Sequence, residues 1–186
     1  MTRVVAVCGS RRDGSYTRQA LLRALEAAEA EGATVDLLDL GAVDLPLYHP
    51  DEDEQGESAA LKRRVREADG VLIGSPVYRG SYSSTFKNFH DYCGSDEYED
   101  TAVGLLATAG GGSYGGTLEH LRATVRNVHG FAVPHQVGIR GASGKFEDGR
   151  LVDAGLRERV DELGRAVVRH ARRLSQSCRD PVTADD

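Results

Sequence analysis

Three short segments of this chain are apolar at almost every position: Val4-Val5-Ala6-Val7-Cys8, Gly70-Val71-Leu72-Ile73-Gly74 and Ala102-Val103-Gly104-Leu105-Leu106-Ala107. A strand with one wet face alternates apolar and polar residues. A strand that is apolar throughout is covered on both faces, which is the condition of a parallel sheet with helices above and below. The intervening sequence supplies those helices. Leu21, Leu22, Leu25 and Ala28 recur at helical spacing until Gly32 stops them. Thr34 to Leu40 reads as a second strand, and Leu61, Val65 and Ala68 mark a second helix. Phe86, Phe89 and His90 place a helix from about Ser84 to Cys93, and Leu118, Leu121, Val125 and Val128 form a stripe on the next. Phe131 to Val137 reads as a fifth strand, weakened by Pro134, which lacks a backbone donor. Leu156, Val160, Leu163, Val167 and Leu174 line a last helix that Asp153 can cap. Strand and helix alternate five times. The expected fold is α/β, a doubly wound five-stranded parallel sheet of order 2-1-3-4-5 with helices on both faces.

A chain of 186 residues that is 40% hydrophobic suits one domain. That domain is expected over residues 1–174, with a polar, fraying tail at 175–186. No apolar run approaches the ~20 residues that cross a bilayer. The segment Met1-Thr2-Arg3 leads straight into the first strand and is too short for a signal peptide, so the expected location is cytoplasmic. Cys8, Cys93 and Cys178 are far apart with no CxxC, which excludes a disulfide framework and a cysteine zinc site. The run from Asp51 to Glu54 reads as a solvated loop, and no metal site is expected. A net charge of -6 speaks against nucleic acid or an anionic membrane as partner.

In an open α/β sheet, ligands bind beyond the carboxyl ends of the strands where strand order reverses. The expected order gathers three loops there. The first is Gly9-Ser10-Arg11-Arg12-Asp13-Gly14-Ser15-Tyr16-Thr17. Unpaired N–H groups and the dipole at a helix start favour an anion. Ser10, Ser15 and Thr17 add hydroxyl donors, and Arg12 adds a bidentate cation, a set that fits a terminal phosphate. A plainer design, with Ser15 or Thr17 as helix cap and the arginines facing water, accounts for this loop equally well. The loop lacks the Gly-Lys-Ser or Gly-Lys-Thr of a P-loop. A small cysteine phosphatase would need an arginine where Gly14 stands, so Cys8 reads as a buried strand-end residue.

The second loop runs from Gly74 to Tyr92. Pro76 keeps Ser75 extended, and the backbone then turns away from the sheet with bare N–H and C=O groups for a flat heterocycle. Tyr78 can contact the ring face and Arg79 a ring edge that becomes negative on reduction. Lys87, Asn88 and Asp91 brace the helix rather than touch ligand. The third loop is Thr108-Ala109-Gly110-Gly111-Gly112-Ser113-Tyr114-Gly115-Gly116. Gly110, Gly112 and Gly115 match G-x-G-x-x-G, but the acid expected roughly 20 residues on is missing. The reading preferred over a dinucleotide fingerprint is that side chains are absent so that a planar ring can lie against the backbone.

Taken together, the three loops resemble those of the NADPH-dependent FMN reductase family of flavodoxin-like proteins, from Val4 to about Leu174. Gly9, Ser10, Arg12 and Ser15 fill a GSxRxxS pattern. Pro76, Tyr78, Lys87, Asn88 and Asp91 fill the second motif, and Gly110 to Gly116 the glycine-rich turn. Thr17 and Arg79 stand where relatives often carry asparagine. The resemblance implies FMN, with its phosphate against Ser10, Arg12, Ser15, Tyr16 and Thr17. Its ring would lie between Pro76, Val77, Tyr78, Arg79 and Gly80 on one side and Ala109, Gly110, Gly111, Gly112 and Ser113 on the other. NADPH or NADH is the implied co-substrate, passing hydride to the flavin and on to a small acceptor such as a flavin, quinone, azo compound or metal oxyanion. No catalytic side chain is implied, and a homodimer or homotetramer is. The alternative is an electron-transfer carrier without NAD(P)H turnover. The segment Gly138 to Leu151, with its Asp148-Gly149 turn, is left as a contact arm or decoration.

Overall fold

The computed structural model describes residues 1–52 and 55–177. The elements follow in the order β1 (Arg3–Cys8), α1 (Tyr16–Ala30), β2 (Thr34–Asp39), α2 (Ser58–Arg66), β3 (Gly70–Pro76), α3 (Ser84–Asp91), α4 (Ser95–Tyr98) and β4 (Ala102–Ala109). After these come α5 (Gly115–Asn127), β5 (Phe131–Arg140), β6 (Phe146–Glu147), β7 (Arg150–Leu151) and α6 (Ala154–Ser177). The main sheet is parallel, in the order β2-β1-β3-β4-β5, as the apolar runs require.

Neighbouring residues of β1 explain why the run is apolar without a break. Val4, Ala6 and Cys8 pack with Leu21, Leu25, Leu163 and Val167 of α1 and α6. Val5 and Val7 pack with Leu61, Phe86 and Leu121 of α2, α3 and α5 on the opposite face. Each face of the sheet thus owns a separate core, and alternate side chains feed each. Helix α1 ends as expected: Gly32, at φ 81°, donates to Glu29 O at 2.8 Å, and Ala33 donates to Ala28 O at 3.2 Å. Those two bonds form a Schellman motif that needs a left-handed residue. Asp153 caps α6, its carboxylate accepting from Leu156 N–H at 3.0 Å.

Several boundaries differ from the sequence reading. Strand β5 continues past Val137 to Arg140 despite Pro134. It is an edge strand, and the register jumps from Val103↔Ala132 to Leu105↔Gln136, so the residues around Pro134 bulge free of the ladder. The helix expected to reach Cys93 ends at Asp91, and the short α4 follows it. Helix α6 runs through Ser175 to Ser177, since nothing in Ser175-Gln176-Ser177 breaks a helix. Residues 178–186, with Cys178, lie outside the described residues, as do Asp53 and Glu54 of the acidic loop. The segment after β5 forms a hairpin, β6 with β7, turning on Asp148 at φ 45° and Gly149 at φ 78°. No helix of the described residues is long and apolar enough to cross a membrane.

Candidate functional site

The loops after β1, β3 and β4 leave adjacent strands at the same height. Gly9 N–H donates to Gly74 O at 2.8 Å, and Val77 N–H donates to Thr108 O at 2.8 Å. Between them lies a cleft of about 310 Å³. It receives Ser10, Arg12, Ser15, Tyr16 and Thr17 from the first loop, Pro76, Val77 and Tyr78 from the second, and Ala109 and Gly110 from the third. Three further residues complete it: Thr108, Ala142 and Ser143. Thr108, the penultimate residue of β4, is in register with Pro76 and was findable from the parallel pairing. Ala142 and Ser143 come from the turn before the β6–β7 hairpin, for which the sequence holds no ligand motif.

The first loop begins α1. Ser15 caps it, its Oγ accepting from Arg18 N–H at 3.1 Å, which leaves the earlier first-turn N–H groups for an outside acceptor. Ser10 Oγ accepts from Arg12 N–H at 3.4 Å and keeps its own proton to donate. Arg18 is committed elsewhere, to Asp39 at 2.8 Å. Arg12 is exposed and forms no ion pair among the described residues. The Thr17 and Thr108 hydroxyls lie 2.5 Å apart. One donates to the other, so the pair retains a single O–H to offer a ligand. Burial pushes the Cys8 thiol upward, which keeps it protonated and inert beneath the loop.

The second loop is tied down from below. Ser83 N–H donates to Ser75 Oγ at 2.9 Å and Ser83 Oγ donates to Gly9 O at 2.5 Å, which joins the first two loops through the start of α3. Asn88 accepts from Tyr48 N–H at 2.9 Å and donates to Pro46 O at 2.8 Å, while Lys87 pairs with Asp91. Asn88 thus braces the loop after β2, the Lys87–Asp91 pair lies along α3, and none of the three lines the cleft. Arg79 and Gly80 form the exposed tip of a turn outside the cleft wall.

The third loop is fixed at its far side. Arg140 Nε donates to Gly111 O at 3.0 Å, and Gly115 N–H donates to Ser113 Oγ at 3.2 Å. Gly111, Gly112 and Ser113 are exposed at the rim. A Cβ on Gly110, Gly111 or Gly112 would meet nothing within 4 Å, and none of the three has a positive φ. Neither backbone conformation nor crowding within the chain accounts for three glycines here. The open space over this backbone leaves room for a flat group, so the residues present fit a planar ring. Tyr16, at the base of the cleft, stacks on Phe146 of the hairpin at 5.0 Å and 27°.

Comparisons with known proteins bear on the family and the fold. The model of the family described as NADPH-dependent FMN reductase matches residues 2–144. The chain is 35% identical over 152 residues to an NADPH azoreductase of a Bacillus species (strain OY1-2), covering 80% of this chain and 82% of that protein. It is 34% identical over 153 residues to an FMN-dependent NADPH-azoreductase of Staphylococcus saprophyticus, covering 77% and 80%. Among solved structures, an apo NADH:FMN oxidoreductase superposes with a TM-score of 0.74 at 21% identity over 90% of each chain, a likeness of fold.

Proposed function

The chain belongs to the NADPH-dependent FMN reductase family, and from that premise we propose how its own residues carry the activity. It is an FMN-dependent NAD(P)H oxidoreductase. Its acceptor is a small molecule of the azo, quinone, flavin or metal-oxyanion class, the azo class being supported by its relatives. The observation that carries the site assignment is the glycine lip, whose Cβ positions open onto empty space beside a loop equipped for a phosphate.

In this assignment Arg12, the Ser10 hydroxyl and the first-turn N–H groups of α1 bind the FMN phosphate. Pro76, Val77 and Tyr78 on one side and Ala109 and Gly110 on the other, which line the cleft, would border the ring. The N–H groups of Val77 and Tyr78 are already committed to Thr108 O and Ser81 O, so the second loop would offer side chains and carbonyls rather than bare donors. Bound FMN supplies two-electron hydride chemistry, so no side chain of the chain need act as nucleophile or general acid for that step. The residues supply position: Ser83 and Ser75 fix the spacing of the first two loops, and Arg140 fixes the third. The reading includes a homodimer or homotetramer, supported by Leu47, Tyr48 and Tyr78, exposed at 83%, 38% and 50% on loops at the site's edge of the sheet. It also includes a cytoplasmic location, where NADPH is available.

The test is steady-state turnover of the FMN-loaded protein with NADPH and a panel of azo dyes, quinones, free flavin and ferric or chromate salts. NADPH oxidation that depends on both bound FMN and acceptor is the expected result. A protein that binds FMN yet oxidises no NADPH with any acceptor would be a carrier instead.

A further inference from the structure

Arg79 occupies the first central position of the turn Tyr78–Ser81. Two backbone hydrogen bonds close that turn, Tyr78 N–H to Ser81 O at 2.9 Å and Ser81 N–H to Tyr78 O at 3.1 Å. With φ of 54° at Arg79 and 83° at Gly80, both central residues are left-handed. Asparagine and glycine suit such a turn, whereas a long side chain is strained in it. The turn is nevertheless held firmly. Ser81 Oγ lies 2.9 Å from His120 Nδ1 on α5, and Gly80 O stands 3.2 Å from where a Cβ on Gly116 would be.

The strained residue does nothing evident for the fold. Arg79 is exposed and has no hydrogen bond or ion pair among the described residues, whereas Arg18, Arg23, Arg64 and Arg66 each hold a carboxylate. Its neighbour Tyr78 lines the cleft and Arg79 does not. A cation with no partner among the described residues thus stands on a firmly held turn, next in sequence to a residue that lines the cleft. Strain retained without compensation inside the chain points to a partner outside it.

We infer that Arg79 recognises a phosphate of the nicotinamide dinucleotide co-substrate. The inference rests on the FMN reading above. A nicotinamide that reaches the open face of the ring must leave its phosphates outside the cleft, and a guanidinium meets a phosphate through paired, charge-assisted hydrogen bonds.

Arg79→Asn tests this with little risk to folding, because asparagine is at home in the turn. FMN affinity of wild type and variant is measured first by quenching of flavin fluorescence. In the FMN-loaded proteins, KM for NADPH is expected to rise roughly tenfold in the variant, with the change falling on KM and not on kcat. Arg79→Lys should recover part of the loss. A rise with NADPH alone assigns the contact to the 2′-phosphate, and an equal rise with NADH assigns it to the shared pyrophosphate; both uphold the inference. Unchanged KM for both co-substrates overturns it. So does a shift in flavin midpoint potential at constant KM, which would put the guanidinium against the ring. A wild-type protein that takes up no FMN removes the parent reading and this one together, whereas normal flavin uptake with unchanged KM removes only this one.

Discussion

Arg12 is an exposed cation beside the capped end of α1. On the proposed reading, replacing it by alanine removes one charge-assisted contact to the FMN phosphate. Fluorescence titration of Arg12→Ala should show affinity weakened by about 1.5–3 kcal/mol, roughly ten- to a hundredfold. The glycines of the third loop make the complementary case. Since a side chain on Gly111 meets nothing within 4 Å, Gly111→Val should leave the melting temperature of the apoprotein unchanged. The same substitution should lower FMN affinity by more than about tenfold, ~1.4 kcal/mol, because the valine occupies the ring's place. A large loss of apoprotein stability would show that the glycine serves the fold. That the first and third loops meet at one cleft was legible in the sequence, because hydroxyl-rich and glycine-rich loops each carry a local chemical signature and the strand order brings them together. Ala142 and Ser143 were not, since an alanine and a serine at the start of a hairpin carry none, and only the folded chain brings them to the cleft. Thr17 was legible as a hydroxyl but not as half of a pair with Thr108, a contact between helix α1 and strand β4.

At the scale of elements, the cleft depends on how closely α1 and α6 approach on one face of the sheet. A Cβ on Gly164 of α6 would stand 2.1 Å from Ala24 O of α1, and backbone cannot yield there as a flexible side chain can. Gly164→Ala should therefore destabilise the protein by about 1–3 kcal/mol or more, read from urea unfolding. It should also tilt α1 and weaken FMN binding in proportion, since the N-terminus of α1 is the phosphate end of the cleft. The five strands of the main sheet and its long helices were legible from apolar runs and helical spacing, because burial on two faces leaves a mark on every residue of β1, β3 and β4. The short α4 and the β6–β7 hairpin carry no such pattern and were not legible. The ends of elements were less so. Pro134 argued against β5, yet an edge strand with a local bulge has no use for the missing donor. Strand β4 carries on to Ala109, so the glycine loop begins one residue beyond the sheet and lies close over its rim.

For the molecule as a whole, two separate cores flank one sheet, and acid should unsettle the one beneath α3. His90 is buried against Phe86 and Tyr98, with Nδ1 lacking a partner. Burial pushes its pKa below the usual histidine range. Between that lowered value and about 6.5, the unfolded chain binds more protons than the folded one, so stability rises with pH through this window and falls on acidification. Urea midpoints should decline as pH drops below about 6.5, and His90→Phe should flatten the decline. The sequence placed His90 on a helix with Phe86 and Phe89, but that its Nδ1 finds no partner could not be read there, since it depends on elements distant in sequence, among them Tyr98 of α4, that pack around the ring. None of this alters the central claim, that the cleft at the carboxyl edge of the sheet is an FMN site. The most direct measurement is a titration of the purified, folded protein with FMN, followed by quenching of flavin fluorescence. The predicted result is saturable binding of one FMN per chain, with the flavin's absorbance retained after desalting and bleached by NADPH. A folded protein that leaves FMN fluorescence unquenched at every concentration would contradict the account.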